Sequence, residues 1–265
     1  MKRLIYQVYV GKRSRLYDHC IESVEKYANA HGITHMTQTK PILKIRPDPF
    51  ATNRSKEAVE RLGYLPIYEK ENAFNYFGEY DQIAIIDSDI WIRDGSPNIF
   101  DDLDSKYDFG GVVEREMPIE DWYKQKIINY SRMQYDQLHK GLPWEAKGID
   151  FKPNQLGYEF FNMGLMVMNK SITKYMRGMN AQQFITQAQF KDFVDGLGAW
   201  KWSTDQTLLN YWVKKEKMKV KHMDWKWNGL FTANNRLRDC HFVHFFLKDK
   251  LPQQGENIEE LMKHV

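Results

Sequence analysis

The chain has 265 residues, enough for one large α/β domain or two small ones with a sizeable buried core. Its 42% hydrophobic and 28% charged content is that of an ordinary globular protein, which argues against a disordered or fibrous chain. A net charge of +3 gives no argument for nucleic acid, and two cysteines, Cys20 and Cys240, suggest no disulfide framework.

Residues 4–10 predict a first strand. The basic start resembles a signal peptide, but the apolar part is short, contains Gln7, and charge returns at Lys12 and Arg13. After Gly11, apolar residues recur at Tyr17, Ile21, Val24, Tyr27 and Ala28, which is helical spacing, and His31-Gly32 ends that helix. A short strand over 33–37 leads into a loop punctuated by Pro41, Pro47 and Pro49. A helix carrying Ala58, Val59 and Leu62 is interrupted at Gly63, and another begins at Pro66 and runs to about Phe77. Strands are expected at 83–86, 108–113, 160–168, 218–221 and 241–246. Helices are expected over 119–140, 172–178, 181–194, 204–214 and 258–264. No stretch reaches the ~20 apolar residues of a membrane span, so the expectation is a cytoplasmic protein. Strands alternating with helices predict a single doubly wound sheet covered by helices, one domain over 1–265.

The most informative segment is Ile83-Ala84-Ile85-Ile86-Asp87-Ser88-Asp89. Four apolar residues in a row read as a strand buried on both faces. Two carboxylates at its end are costly unless their charge is compensated. A divalent cation with a preference for hard oxygen ligands does that well. If the strand continues, residues i and i+2 point the same way, so Asp87 and Asp89 can converge while Ser88 faces elsewhere. Ligands of doubly wound sheets bind beyond the carboxyl ends of the strands, which is where this pair lies.

Four motifs in order then resemble the GT-A glycosyltransferases, in particular the glycogenin-like and lipopolysaccharide galactosyltransferase-like group. They are the Asp87-Ser88-Asp89 strand end, Phe160-Phe161-Asn162-Met163-Gly164-Leu165, Asp205-Gln206 opening a helix, and His244-Phe245 with Lys250 six residues past the histidine. The group usually has glycine three residues after the histidine and proline after the lysine, where this chain has Leu247 and Leu251. The resemblance spans most of the chain, from Leu4 to Leu251. It implies a mostly parallel, Rossmann-like central sheet flanked by helices, and a metal-dependent transfer of sugar from a UDP-sugar with retention of configuration.

What the resemblance implies for single residues follows the same order. Asp87, Asp89 and His244 would hold manganese, with magnesium as the alternative ion. Asp205 and Gln206 would face the reacting carbon of the donor sugar. Tyr9, Val10 and Gly11 would cradle the nucleobase, and Arg13 or Arg15 would lie near phosphate. Ser88, Asn162, Gly164 and Lys250 would complete the donor site, with Lys250 adding positive charge at the diphosphate. The acceptor is an unspecified glycan, lipid or protein, and residues 114–154, which match no donor motif, are expected to select it. Each role has a plainer counterpart. A lone histidine in an apolar stretch is ordinarily a core residue, Asp205 after Ser203-Thr204 suits a helix cap, and the tryptophans are mostly structural, with Trp122 and Trp144, which flank the least regular region, the two expected to be able to face an acceptor. The other functions considered are a phosphohydrolase with the first aspartate as nucleophile, for which Trp91 stands in an unsuitable position, and a non-catalytic nucleotide- or carbohydrate-binding domain.

Overall fold

Ile83, Ala84, Ile85 and Ile86 are fully buried at the centre of the main sheet in a computed structural model that describes residues 1–55, 66–139 and 152–265. The strands, in chain order, are β1 (Arg3–Val8), β2 (Thr34–Gln38), β3 (Gln82–Ile86), β4 (Ile90–Ile92), β5 (Phe109–Gly111), β6 (Leu165–Asn169), β7 (Val220–His222), β8 (Gly229–Leu230) and β9 (Phe242–His244). Six of them form the main sheet in the order β2-β1-β3-β6-β5-β7. Its pairings are parallel except where β6 runs against β3 and β5. The helices are α1 (Arg15–Ala30), α2 (Asp121–Tyr135), α3 (Thr173–Met176), α4 (Ala181–Ile185), α5 (Lys191–Asp195), α6 (Asp205–Lys215) and α7 (Ile258–Leu261). A 3-10 segment, Pro66–Gly78, precedes β3. No helix among the described residues is long and apolar enough to cross a membrane.

The expected order of elements is present, with instructive differences. α1 buries Leu16, Cys20, Val24, Tyr27 and Ala28, one stripe at helical spacing. The strand expected over 160–168 is regular only from Leu165, because the Asn162 side chain accepts from the Gly164 amide at 3.0 Å. That local bond competes with the sheet ladder. The helix expected over 181–194 is two short helices, since Gln187 is extended and Thr186 turns its hydroxyl back onto Gln182 O. Of the helix expected over 119–140, α2 and a 3-10 turn, Asp136–His139, are described. Lys140, Trp144 and the helix carrying Ala58, Val59 and Leu62 lie outside the described residues.

A second, three-stranded sheet, β4-β9-β8, was not expected. Its strands of two or three residues are too short to carry a period. It matters because Ile90 of β4 sits directly opposite His244 of β9, so the residue after Asp89 fixes the height of the histidine.

Asp108 locks the far side of the main sheet. Its carboxylate accepts from Ser171 Oγ at 2.6 Å, Tyr175 Oη at 2.8 Å, Lys174 Nζ at 2.9 Å and the Lys219 amide at 3.0 Å. Burial would raise its pKa, but these donors together hold it down at about 2. A depressed carboxyl contributes stability above its unfolded pKa and loses it as pH falls toward the folded one. Asp108→Asn is therefore expected to cost about 2 kcal/mol at neutral pH, with the deficit roughly halved near pH 3. Urea unfolding of both chains at the two pH values checks this.

Candidate functional site

The chain leaves β3 at Asp87 and turns at once, with the Ile90 amide donating to Asp87 O at 3.1 Å. Asp87 and Asp89 therefore converge through a tight turn and not through a continued pleat. The turn is held from both sides. The Asp87 amide donates to Gly164 O at 2.8 Å and the Phe245 amide donates to Asp89 O at 2.9 Å. Pairing of β4 with β9 then brings His244 Nε2 to 3.3 Å from Asp89 Oδ1 and 3.9 Å from Asp87 Oδ2. One ligand atom from each of the three residues lies within 4.8 Å of the others.

Lys70, which the sequence reading missed, completes the cluster. Its ammonium lies 2.8 Å from Asp87 Oδ1, 2.8 Å from Asp205 Oδ2 and 2.9 Å from Met163 O. An ammonium has three hydrogens to donate, and three acceptors meet it here. Burial opposes its charge, but Asp205, Asp87 and Glu71 together raise its pKa, so it stays protonated. Burial also raises the carboxyl of Asp205, against the pull of Lys70. Glu71 is completely buried, neither carboxyl oxygen has a hydrogen-bond partner, and burial drives its pKa well up. For His244, burial opposes the imidazolium, while Asp89 and Asp87 outweigh it and raise the pKa.

Asp205 is free for this contact because it is not the helix cap. Thr204 caps α6, its hydroxyl accepting from the Gln206 amide at 3.2 Å. Gln206 turns its Oε1 to the Met163 amide at 3.1 Å. A cavity of about 300 Å³ opens above the cluster, lined by Tyr9, Val10, Tyr17, Lys70, the Asp87-Ser88-Asp89 turn and Asp205 among others. Tyr9, Val10, Ser88, Asp87, Asp89 and Asp205 of the expected site thus share one cavity. His244 joins them through Asp87 and Asp89, and several other expected residues lie apart from the cavity. Gly11 and Arg13 border a neighbouring groove with Thr37 and Thr39. Arg15 is turned to the C-terminal segment, on Glu256 O and Glu259. Lys250 sits over the half-exposed ring of Trp122, 3.6 Å from its centroid, whereas Lys248 covers Tyr17 at the cavity wall. Asn162 is buried behind His244, and the space over Gly164 is filled by the His244 ring. A Cβ on Gly164 would meet that ring at 2.4 Å.

These residues fit a divalent cation. Asp87 can keep Oδ1 on Lys70 and offer Oδ2, and two carboxylates with one imidazole form a donor set suited to a transition metal. A second group among the described residues, Glu116, Glu159 and His222, fits less well. Glu159 is already neutralised by Lys214 at 2.7 Å and Arg115 at 3.4 Å, and the group is largely exposed. The only sequence signal for Lys70 is the triplet Glu69-Lys70-Glu71, which reads as a solvated face. Removing one partner of a buried ion pair leaves uncompensated charge. Lys70→Met is expected to lose about 3–5 kcal/mol at neutral pH, and Lys70→Met with Asp205→Asn to recover part of it. Chemical denaturation of the two variants decides; equal losses would mean the pair does not act as one unit.

No protein-family model matches the sequence, and no relative emerges among curated proteins. Solved structures do match. A glycosyltransferase involved in glycosylation of the major capsid of PBCV-1 is 14% identical, with a TM-score of 0.56 over 98% of this chain and 100% of that one. Mouse xyloside xylosyltransferase 1 is 12% identical over 95% of this chain and 100% of its own, at a TM-score of 0.49. An active-site mutant of LgtC is 16% identical over 98% and 95%, at 0.48. At such identities the likeness is one of fold. The chain has the GT-A fold of glycosyltransferases.

Proposed function

We propose that this chain is a glycosyltransferase that moves a sugar from a UDP-sugar to an acceptor hydroxyl with the help of manganese. The observation that carries the reading is the convergence of Asp87, Asp89 and His244 on one point at the floor of the cavity, at the carboxyl end of β3. Asp87, Asp89 and His244 would hold the ion. When bound, it supplies Lewis-acid neutralisation of charge on the leaving diphosphate.

The rest is work for the chain itself. Tyr9 and Val10, at the end of β1 and backed by Tyr17, form the wall suited to a nucleobase; the Tyr9 and Tyr17 rings meet edge to face at 5.2 Å. Lys70 keeps Asp87 and Asp205 at fixed separation through its bonds to both. In the transfer, the bond from the anomeric carbon to the diphosphate oxygen breaks and one to the acceptor oxygen forms. The acceptor proton must leave with a base. Asp205 is ill placed to be that base, being 6% exposed and paired with Lys70, and the Gln206 amide cannot take a proton. This favours retention, with the departing phosphate oxygen receiving the proton. Acceptor selection is assigned to residues 114–154, whose described part includes Trp122, exposed beside Lys250.

Thermal unfolding with UDP, GDP, CMP and ADP, each with and without manganese, tests the reading. A ligand at a hundred times its dissociation constant adds about 2.7 kcal/mol, so UDP with manganese is expected to raise the melting temperature by roughly 5–10 °C. UDP alone should leave it unchanged, and Asp89→Asn should abolish the shift without unfolding the chain. A shift with GDP would change the donor. Stabilisation by magnesium and phosphate analogues with no nucleotide response would replace the transferase with the hydrolase.

A further inference from the structure

Behind His244 runs a line of buried polar side chains that no part of the transfer chemistry uses. Asn228 is fully buried, and Glu114, Asn162 and His244 are nearly so. The line begins at a group whose polarity is fixed. The Gly164 amide can only donate, and it meets Asn162 Oδ1 at 3.0 Å. Asn162 therefore turns its Nδ2 toward Glu114 Oε2, 3.2 Å away, an acceptor whose other oxygen receives the Tyr123 hydroxyl at 2.5 Å. A second group reaches Asn162 Oδ1 at 2.9 Å, and it must be a donor, so it is Nδ2 of Asn228. That leaves Asn228 Oδ1 facing His244 Nδ1 at 3.2 Å. An amide oxygen only accepts, so Nδ1 carries a hydrogen; Nε2 faces the carboxylates of Asp89 at 3.3 Å and Asp87 at 3.9 Å, so the charged ring is protonated on both sides and the amide chain makes Nε2 the nitrogen that gives its proton up.

Reversing Asn228 would set two oxygens against each other at the Asn162 contact. Reversing Asn162 would set its NH2 against both the Gly164 amide and Asn228, and its oxygen against Glu114. Each link is determined by the one before it. The ring has little room to rotate, because it lies against Gly164.

We propose that Asn228 and Asn162 are positioning residues that hold His244 as its Nδ1–H tautomer and so aim the Nε2 lone pair at the point where Asp87 and Asp89 converge. The inference rests on the metal-site reading for its purpose, but its geometry stands without an ion. An imidazole ligand whose other nitrogen is committed to a fixed acceptor loses neither orientation nor tautomer when the cation arrives. A free imidazole in water favours the opposite tautomer, which makes the assignment testable.

The first measurement is a long-range 1H–15N spectrum of the native chain labelled at histidine, without metal, at a pH above the titration of His244. Loss of its signals in His244→Gln assigns them. The expected pattern is a protonated Nδ1 and a bare Nε2; a protonated Nε2 overturns the proposal. The second is manganese affinity by electron paramagnetic resonance. Asn228→Leu, and Asn228→Ala should the leucine variant not fold, are expected to bind manganese about 10–100-fold more weakly, with His244 shifted toward the Nε2–H form. A folded variant that binds manganese as the native chain does overturns the proposal. Native protein with no manganese affinity overturns the metal-site reading instead, and the tautomer spectrum still decides the relay.

Discussion

The ammonium of Lys70 is the point on which the site depends. It joins the 3-10 segment Pro66–Gly78 to the end of β3, to the first turn of α6 and to the irregular residues before β6, through Asp87, Asp205 and Met163. The β3 end and the residues before β6 are also tied by the sheet, through the Asp87 amide on Gly164 O, but the 3-10 segment and α6 pair with neither as strands. Charge joins those two to the sheet. Two carboxylates would repel one another in a poorly solvated pocket, and their separation is set by the cation between them. A buried pair of this kind adds little net stability over an apolar core, but it defines one arrangement. Here that arrangement leaves Asp87 Oδ2 and Asp89 turned toward His244.

The two sheets divide the labour. The main sheet supplies burial: β3 is buried on every position and apolar from Ile83 to Ile86, because β1 and β6 flank it and both of its faces are covered. The small sheet supplies register. Its strands are short, yet pairing of Ile90 with His244 connects the residue after the aspartate turn to the histidine nearly two-thirds of the chain away. A slip of one residue in that pairing would turn His244 to the other face. Gly164 adds the complementary condition, because only a residue without a side chain lets the imidazole lie where the pairing puts it.

Much of the fold was legible because it rests on local pattern. The Ile83–Ile86 run, the stripe of α1 and the opening of α6 at Ser203-Thr204-Asp205 each announce themselves within a dozen residues. The gathering of Asp87, Asp89, Asp205, Tyr9 and Val10 at one edge follows from that alternation and the rule for ligand position in such sheets. What was not legible depends on distant partners. Lys70 sits in a charged triplet indistinguishable from a surface face. Asn228 follows Trp227 in a segment with no periodicity, and its meaning exists only against Asn162 and His244. Gly164 was expected to complete the donor site, and the space over it is taken by a ring from a strand eighty positions later. Lys250 matched a spacing, but Leu247 stands where glycine is usual and adopts a left-handed conformation, φ 55°. Spacing alone does not say where the lysine after such a bend will point.

The charge balance of the cluster also says why a histidine is useful among the carboxylates. Asp87, Asp89 and Asp205 face Lys70 and an imidazole whose protonated form the two nearer aspartates favour. Counted with all three carboxylates ionised and that proton in place, the cluster is one charge short of neutral. Exchange of the proton for a divalent cation would bring it to neutrality without moving a backbone group, since the Asn228 bond already holds Nδ1 and the proton that departs is the one on Nε2. A third carboxylate in place of His244 would leave the same pocket negative even with a cation bound, and would repel a diphosphate. A second lysine would compensate the charge but offer the cation no lone pair. Imidazole alone among these could be a cation while the pocket is empty and a neutral ligand once a cation enters, and on the proposed relay the buried amides behind it would keep its direction the same in both states.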